Sequence, residues 1–314
     1  MNRNSKIFVA GHSGLVGSCI LNFLKKKDYN NIHIISKKKL DLRNQNKVQK
    51  FFIKNKFDFV INVAGKVGGI LANNKFRAEF IYDNLMIQTN IVHSSYLTKV
   101  KGLIFVASSS IYPKNNHALT ENDLLKGSLE KTNEPYSIAK IAGIKICENY
   151  NIQYGTNFKC LVPCNLYGPN DSYHIQNAHF IPALIKKIYF AKKNNKPVNL
   201  WGDGKSKREV MYAEDLANAC LFFLKKKTKE TLINVGSGNE KTILDFAKII
   251  SKKIGYNNKI KFDKSKPNGV KRKLLDSSVA NKYGWNSMIT LDYGLDLTIK
   301  DFINKFGEQM ENSF

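Results

Sequence analysis

Cysteines are few in this sequence, and their spacing argues against two common kinds of structural stabilisation. The five are Cys19, Cys147, Cys160, Cys164 and Cys220. They lack the Cys-x-x-Cys pairs typical of zinc sites and the density of a disulfide framework. We therefore expect no metal site, and a reducing compartment such as the cytoplasm.

Long apolar runs are also missing. None approaches the roughly 20 residues that a membrane-spanning helix requires. Residues 1–6 lead directly into a short apolar segment, which does not have the length of a secretory signal. The sequence therefore predicts neither a membrane span nor an export signal.

Acidic residues are outnumbered, at 25 Asp and Glu against 50 Lys and Arg, which gives a net charge of +25. So basic a chain attracts anions, and a nucleic-acid-binding protein is one interpretation. The lysines at 25–27 and 225–227, however, stand where helices are predicted to end, and cations there stabilise the helix dipole. No zinc-finger or RNA-recognition motif accompanies them. We therefore expect a solvated, lysine-rich surface and no nucleic-acid partner.

Strands and helices alternate along the first half of the chain. Apolar strands are predicted at residues 6–10, 32–36, 57–63, 102–107 and 159–163, with helical segments between them. This alternation predicts an α/β fold, a Rossmann-type doubly wound parallel sheet with right-handed crossovers. After residue 169 the pattern loosens, which indicates a smaller mixed α/β C-terminal lobe for the substrate. We expect the sheet domain to cover residues 1–169, with 213–238 returning to it, and the lobe to cover 170–212 and 239–314.

A glycine-rich loop joins the first strand to the first helix. Its sequence is Gly-His-Ser-Gly-Leu-Val-Gly, with glycines spaced three apart at 11, 14 and 17. Such glycines let the backbone approach a pyrophosphate at the helix N-terminus. A purely structural turn is the alternative, but the strand before and the helix after favour a dinucleotide site. The residues expected to contact it are Gly11, Ser13, Gly14, Leu15, Val16 and Gly17.

The second strand is followed by cations rather than by an acid. An acidic residue there would bind the ribose hydroxyls of NAD, whereas this chain has Ser36, Lys37 and two further lysines. A cluster of ammonium groups favours a 2′-phosphate, and we therefore predict NADP(H), held by Ser36 and Lys37. In so lysine-rich a chain, an ordinary polar turn remains the alternative.

Tyr136 and Lys140 lie four residues apart in a predicted helix that begins near Pro135. That spacing places both side chains on one helix face. An ammonium near a phenol lowers the phenol pKa from its usual value of about 10, so Tyr136 could exchange a proton with a carbonyl or alcohol oxygen. Tyr-x-x-x-Lys is also common by chance, and an ordinary helix surface is the competing interpretation.

Taken with Ser108 after the fourth strand, these motifs resemble the extended short-chain dehydrogenase/reductase family, and within it the GDP-L-fucose synthases. The resemblance extends over nearly the whole chain, and ordered identities of this length are far more specific than any short motif. The matching stretches include residues 64–70, 109–114, 132–143, 165–169, 181–184, 208–209, 265–267 and 272–276.

The resemblance implies roles for the helix and strand residues. A family enzyme reduces C4 of a GDP-linked 4-keto-6-deoxy sugar with NADPH while Tyr136 protonates the developing alkoxide. Lys140 would lower the Tyr136 pKa and hold the nicotinamide ribose. Ser108 would hydrogen-bond the reacting oxygen, where charge develops.

The resemblance also implies contacts with the cofactor, the substrate and a second subunit. Asp41 and Leu42 would lie by the adenine, with Ala64, Asn165 and Leu166 along the rest of the cofactor. The residues expected to contact the GDP-sugar are Asn165, His179, Lys187, Trp201, Arg208 and Lys273. Without the resemblance, the last four would be interpreted as surface cations and a core indole. A homodimer through the two long helices of the sheet domain is also implied.

Two positions depart from the family pattern. Family enzymes epimerise C3 and C5 with a Cys and a His; His179 matches the His, but Ser110 stands where the Cys is expected. A thiol has a pKa of about 8.5, whereas an unactivated alcohol ionises far less readily. We therefore predict a reductase without efficient epimerisation, with a complete bifunctional synthase as the alternative. Ser13 replaces an Arg common beside the cofactor phosphates, which weakens the case for NADP.

Other functional classes are disfavoured. A 4,6-dehydratase would need a carboxylic acid beside Ser108, where the chain has Ser109 and Ser110, and an NAD-retaining epimerase usually has an acid after the second strand. A binding protein that senses a dinucleotide is supported only by the net charge. Ser108, Tyr136 and Lys140 argue against it, because a binder needs no acid catalyst.

Overall fold

The computed structural model describes residues 1–173, 178–265 and 270–306. Lys266 and Pro267, which contribute to the resemblance, lie outside the described residues. The helices and strands, in chain order, are β1 (Ile7–Ala10), α1 (Leu15–Lys26), β2 (Ile32–His33), α2 (Gln45–Asn55), β3 (Phe59–Asn62), α3 (Ile70–Lys75), α4 (Arg77–Leu97), β4 (Gly102–Val106), α5 (Glu134–Tyr154), β5 (Phe158–Pro163), β6 (Asn165–Tyr167), α6 (Phe180–Lys193), β7 (Val198–Trp201), β8 (Lys207–Tyr212), α7 (Ala213–Lys225), β9 (Leu232–Val235), β10 (Glu240–Thr242), α8 (Ile243–Ile254), β11 (Ile260–Asp263), β12 (Arg272–Lys273), α9 (Ser278–Lys282) and α10 (Leu291–Phe306).

A six-stranded sheet forms the centre of the molecule, in the order β2-β1-β3-β4-β5-β9. Every neighbouring pair in it is parallel. Strands β1, β3, β4, β5 and β9 are buried along their whole length, as expected for apolar strands covered by helices on both faces. The predicted Rossmann-type doubly wound fold is confirmed.

The helices around this sheet pack in two groups. Helix α1 packs on α7, while α4 packs on both α5 and α2. Between these groups and the sheet lies the larger apolar core, which includes Phe8, Ile61, Ile104 and Phe223. Two helical groups around one sheet are the arrangement that right-handed crossovers produce in a doubly wound fold.

The second strand is shorter than predicted. It ends at His33, whereas the sequence indicated a strand through Ser36. The amide groups of Lys39 and Leu40 both donate hydrogen bonds of 3.0 Å to the Ser36 carbonyl oxygen, so this segment is a turn. Three consecutive exposed lysines provide no apolar side chains to extend an edge strand.

The C-terminal half contributes two smaller sheets and a second core. Strand β8 pairs antiparallel with β10 and parallel with β12 and β6, and β11 pairs with β7. The apolar side chains of α6, α8 and α10 form the second core, with Ile185, Phe246 and Phe302 fully buried. A capping box between Thr242 and Asp245 begins α8. The smaller mixed α/β portion is thereby confirmed.

Candidate active site

The predicted site residues gather at one edge of the six-stranded sheet. Because all six strands are parallel, the segments that follow β1, β2, β3, β4 and β5 leave the sheet at the same end. In open α/β sheets, ligands bind outside these carboxyl ends. The residues in these segments are Gly11, Ser36, Ala64, Ser108 and Asn165.

The glycine loop provides a surface on which a pyrophosphate can rest. Gly11 has a φ of +89°, and a Cβ there would lie 2.7 Å from the Ala64 nitrogen. A Cβ at Gly17 would overlap the Gly11 carbonyl oxygen, so this glycine lets α1 pack closely on the loop. Gly14 and Ser13 are exposed. Helix α1 starts with no acidic residue and no side-chain cap, which leaves its first N–H groups available for an anion.

Beyond β2, the structure adds an arginine that sequence reasoning did not single out. Arg43 Nε donates to Asp41 Oδ1 at 3.0 Å, and its NH1 donates to Asp83 at 2.8 Å. The Asp41 pKa is lowered to about 2, mainly by this side-chain hydrogen bond. Lys37 lies close enough to lower that pKa further. The predicted adenosine end of the cofactor site therefore contains Lys37, Arg43 and an ionised Asp41.

The predicted positions along the middle of the cofactor are held by amide side chains. Asn90 Nδ2 donates to the Leu42 carbonyl oxygen at 2.9 Å, and Ala64 N donates to Asn62 Oδ1 at 3.1 Å. Both Asn side chains are almost completely buried. These two bonds fix the backbone at Leu42 and at Ala64, and Ala64 packs against Gly11 of the glycine loop.

Ser108, Tyr136 and Lys140 come together next to this loop. Helix α5 places the Lys140 Nζ 5.8 Å from the centre of the Tyr136 ring, as the spacing of four predicted. The Ser108 side chain lies close enough to the Tyr136 hydroxyl to lower its pKa. Lys140 is 4% exposed and donates to the Val106 carbonyl oxygen at 3.0 Å. That bond ties the helix to the end of β4, from which Ser108 follows.

The expected direction of the Tyr136 pKa was wrong. Burial raises it to about 12, and the nearby Ser108 side chain only partly opposes the rise. Burial also lowers the Lys140 pKa to about 8. Desolvation of both groups therefore outweighs their mutual attraction. The consequence is a phenol that stays protonated at neutral pH and can donate a proton, rather than one that starts as phenolate.

Ser110 lies beside Ser108 in a short 3₁₀ turn. Its hydroxyl donates to Ser108 Oγ at 3.1 Å, and its carbonyl oxygen accepts from Ser137 Oγ at 2.9 Å. Ser137 follows Tyr136 in α5, so this bond links the turn to the catalytic helix. The Ser110 side chain is close to the predicted reacting centre, but its hydroxyl is used to orient Ser108.

His179 stands immediately before α6 and is paired with an aspartate. Its Nδ1 lies 3.3 Å from Asp171 Oδ1, and the Asp171 side chain is almost fully buried. That hydrogen bond raises the His179 pKa above its usual value, against the effect of burial. The hydrogen bond thereby orients the imidazole and favours its protonated form.

The predicted substrate residues form one cation–π pair and one pair of cations in the smaller lobe. Lys187 on α6 has its Nζ 5.4 Å from the Trp201 ring centre, at the end of β7. Arg208 on β8 is directly opposite Lys273 on β12 in the strand register. Asn165 Nδ2 reaches the same region and donates to the Glu209 carbonyl oxygen at 3.1 Å. Arginine and lysine in such pairs suit the oxygens of a diphosphate.

Leu166 continues β6 beside the centre of β8, opposite Met211 in the strand register. It packs against the larger core. Among the described residues, no group of three or more His, Cys, Asp or Glu side chains is placed to hold a metal ion. In the same part of the chain, no helix has the length and apolar character that crossing a membrane requires.

The chain is similar over most of its length to proteins that act on GDP-sugars. Residues 7–236 match the NAD dependent epimerase/dehydratase family. Over 299 residues the chain is 45% identical to GDP-L-fucose synthase 1 of Arabidopsis thaliana, which covers 95% of this chain and 93% of that protein. It is 42% identical over 309 residues to GDP-L-fucose synthase of Escherichia coli (strain K12). That alignment covers 95% of this chain and 96% of the relative.

The chain is also similar to a solved structure of a protein named for a GDP-linked sugar. MlghC, a GDP-mannoheptose C4 reductase from Campylobacter jejuni with NADP bound, is 36% identical and superposes with a TM-score of 0.88. The superposition covers 96% of this chain and 99% of that chain. The similarity therefore includes the smaller lobe as well as the six-stranded sheet.

Proposed function

This chain belongs to the NAD dependent epimerase/dehydratase family as a GDP-L-fucose synthase-like member, and we propose that it epimerises C3 and C5 of a GDP-linked 4-keto-6-deoxy sugar and reduces C4. It is an NADP-dependent GDP-keto-sugar reductase, and NADP(H) is its cofactor. The combined reaction was the alternative in the sequence analysis. Full-length similarity to two GDP-L-fucose synthases supports it over reduction alone.

The residues present fit the cofactor. Gly11 has the positive φ and the close packing on Ala64 that only glycine allows, and the uncapped start of α1 offers N–H groups to a pyrophosphate. Lys37, which follows β2 where NAD enzymes carry an acid, supports a 2′-phosphate. When bound, NADPH supplies the hydride that reduces C4.

Side chains of this chain supply the proton that the oxygen on C4 receives. Tyr136 donates its hydroxyl proton to the oxygen on C4 as that oxygen gains negative charge. Ser108 hydrogen-bonds the same oxygen, since its side chain lies next to the Tyr136 hydroxyl and already lowers the pKa of that group. Lys140 then stabilises the phenolate, because its ammonium lies 5.8 Å from the ring centre. This arrangement of three side chains is the observation that carries the proposed reduction.

Epimerisation needs a group that removes and returns protons at C3 and C5. His179 is suited to this because Asp171 orients its ring and raises its pKa. The protons at these carbons are acidified by the adjacent C4 ketone, so an imidazole is a reasonable base.

Reduction without efficient epimerisation is the second candidate, and Ser110 is the observation that favours it. An alcohol is a poor proton-exchange group at neutral pH, and this one donates its hydrogen to Ser108. Incubation with GDP-4-keto-6-deoxymannose and NADPH in D₂O separates the two candidates. The bifunctional enzyme places deuterium at C3 and C5 of the product, whereas a pure reductase leaves both positions unlabelled. The matched variant is Ser110→Cys, which places a thiol at this position and is compared with the wild type in the same experiment.

We also propose a homodimer formed through α4 and α5. These two helices pack on each other and carry apolar side chains on their outer faces as well. The exposed apolar side chains are Tyr82, Leu97, Ile138, Ile152 and Tyr154. A second copy of the same surface is a suitable cover, because an interface between identical subunits places like patches against each other.

A further inference from the structure

Glu209 is a fully buried carboxylate beside the cationic pair of the smaller lobe. Its exposed fraction is 0%, and it follows Arg208 in β8. One oxygen accepts from Gly238 N at 2.8 Å and the other from Leu275 N at 2.9 Å. Among the described residues no Lys or Arg forms an ion pair with it. Its two oxygens therefore hold backbone positions rather than a counter-charge.

The loop after β9 is built to fit around this carboxylate. A Cβ at Gly236 would overlap Glu209 Oε1, so only glycine lets the loop approach so closely. Burying a carboxylate without a cation costs several kcal/mol unless hydrogen bonds compensate. Because the Glu209 carboxylate lies in β8 and accepts from Gly238 N and Leu275 N, it fixes the positions of β8, this loop and the segment after β12 relative to one another.

The segment so fixed carries Lys273. Leu275, which donates to Glu209, is two residues after Lys273, and Lys273 is directly opposite Arg208 in the strand register. Successive residues of a strand point to opposite faces, so Glu209 lies on the face away from Arg208. Glu209 therefore holds the segment that carries Lys273, from the side of β8 opposite to the Arg208 side chain.

The two cations repel each other. Burial and the nearby Arg208 together lower the Lys273 pKa to about 8. In the part of the chain that the structure describes, no carboxylate pairs with Lys273. Glu130 is near enough to raise that pKa slightly but forms no ion pair with Lys273. Two like charges kept side by side are suited to an anion with two charged groups.

We propose that Glu209 is a positioning residue for the substrate diphosphate, and that it acts by holding Lys273 at the correct distance from Arg208. The proposal rests on the proposed GDP-sugar substrate and adds a residue to its site. Glu209 contacts neither substrate nor cofactor, so its effect must appear through Lys273.

A double-mutant cycle on GDP affinity tests the proposal. Calorimetry measures GDP binding by the wild type, Glu209→Gln, Lys273→Met and the double variant. Each single substitution is expected to weaken GDP binding about tenfold. In the Lys273→Met background, Glu209→Gln is expected to add less than about twofold, because the residue it positions is gone. NADPH affinity is expected to stay within about twofold throughout.

Two further variants separate positioning from general stability. Asp215 is also buried and also accepts two backbone N–H groups, from Met288 and Ile289, but lies on α7. Asp215→Asn should lower the melting temperature and leave GDP affinity unchanged. Gly236→Ala disturbs the Glu209 carboxylate from the loop side without changing charge, and should weaken GDP binding even if Glu209→Gln does not fold.

Several outcomes would overturn the proposal. Unchanged GDP affinity in Glu209→Gln or Gly236→Ala would make the carboxylate merely structural, and fully additive effects in the cycle would show that it does not act through Lys273. A wild type that fails to bind GDP would overturn both this proposal and the substrate class. If the cycle behaves as expected while no GDP-keto-sugar is reduced, only the proposed function fails.

Discussion

Replacing Tyr136 by Phe removes a single hydroxyl, the one that we propose as the proton donor. The variant is expected to lose between about a hundredfold and ten-thousandfold in kcat, the range typical of general acid catalysis. NADPH affinity should stay within about twofold, because the ring remains. The measurement is NADPH oxidation with a GDP-linked 4-keto-6-deoxy sugar, alongside NADPH binding.

Tyr293→Phe is the control, since it removes a hydroxyl from an exposed position on α10, outside the site and the proposed dimer interface. It should be as active as the wild type. A Tyr136→Phe variant with near-normal kcat would refute the assignment of the proton donor.

The Lys273 pKa of about 8 predicts how substrate affinity depends on pH. Below this value the ammonium is charged and attracts the diphosphate, and above it the charge is lost. KM for the GDP-sugar should therefore be constant well below pH 8 and rise above it, by up to about tenfold per pH unit.

The Lys140 pKa is also about 8, so a variant is needed to assign the pH effect. Lys273→Arg keeps its positive charge over the whole range, and its KM should no longer rise above pH 8. A KM that rises equally in wild type and variant would place the titrating group elsewhere.

At the scale of residues, the sequence predicted the contacts that follow from the spacing of residues along a helix. The interval of four brought Tyr136 next to Lys140, as expected. Asp171 and Glu209 were not assigned roles, because their partners are eight or more residues away or are backbone N–H groups. The direction of the Tyr136 pKa was missed because desolvation depends on burial, which no spacing reveals.

At the scale of elements, the packing of α1 against the glycine loop depends on Gly17. A Cβ there would overlap the Gly11 carbonyl oxygen, so the helix would have to move. Gly17→Ala is expected to destabilise the fold by about 1–3 kcal/mol, the usual cost of overpacking. It should also weaken NADPH binding, because the N–H groups at the start of α1 shift with the helix.

Thermal unfolding and NADPH titration measure the two effects. Gly14→Ala is the control for stability, since a Cβ there meets nothing closer than 4.0 Å. Its melting temperature should match that of the wild type. A fully stable Gly17→Ala would mean that the loop can adjust, and that the close packing is not needed.

Element types were well predicted, and element ends less so. Continuous apolar runs indicated the buried parallel strands. The end of β2 was missed, because a lysine-rich edge segment can form a turn as easily as a strand. The register that sets Arg208 opposite Lys273 could not be predicted, since it joins segments distant in sequence.

At the scale of the whole molecule, the proposed dimer makes the outer faces of α4 and α5 the interface. Ile152 is 83% exposed in the single chain, and a charge there would be buried in the dimer. Ile152→Glu is therefore expected to shift the protein towards monomers, because an unpaired charge in an apolar interface is costly. Light scattering over a range of concentrations measures the mass.

The control substitution is Ile303→Glu, which changes an exposed isoleucine on α10. It should leave the mass unchanged. A wild type that is monomeric at all concentrations, or an Ile152→Glu variant that still dimerises, would exclude this interface.

In the proposed reaction, hydride is delivered to C4 of a GDP-linked keto sugar while Tyr136 protonates the oxygen on C4. This reaction is tested most directly with NADPH that carries deuterium at its transferable position, followed by NMR of the sugar product. The expected result is deuterium bound to C4 of the product, with one NADPH consumed for each product molecule formed. Unlabelled C4, or no consumption of NADPH with any GDP-linked 4-keto-6-deoxy sugar, would contradict it.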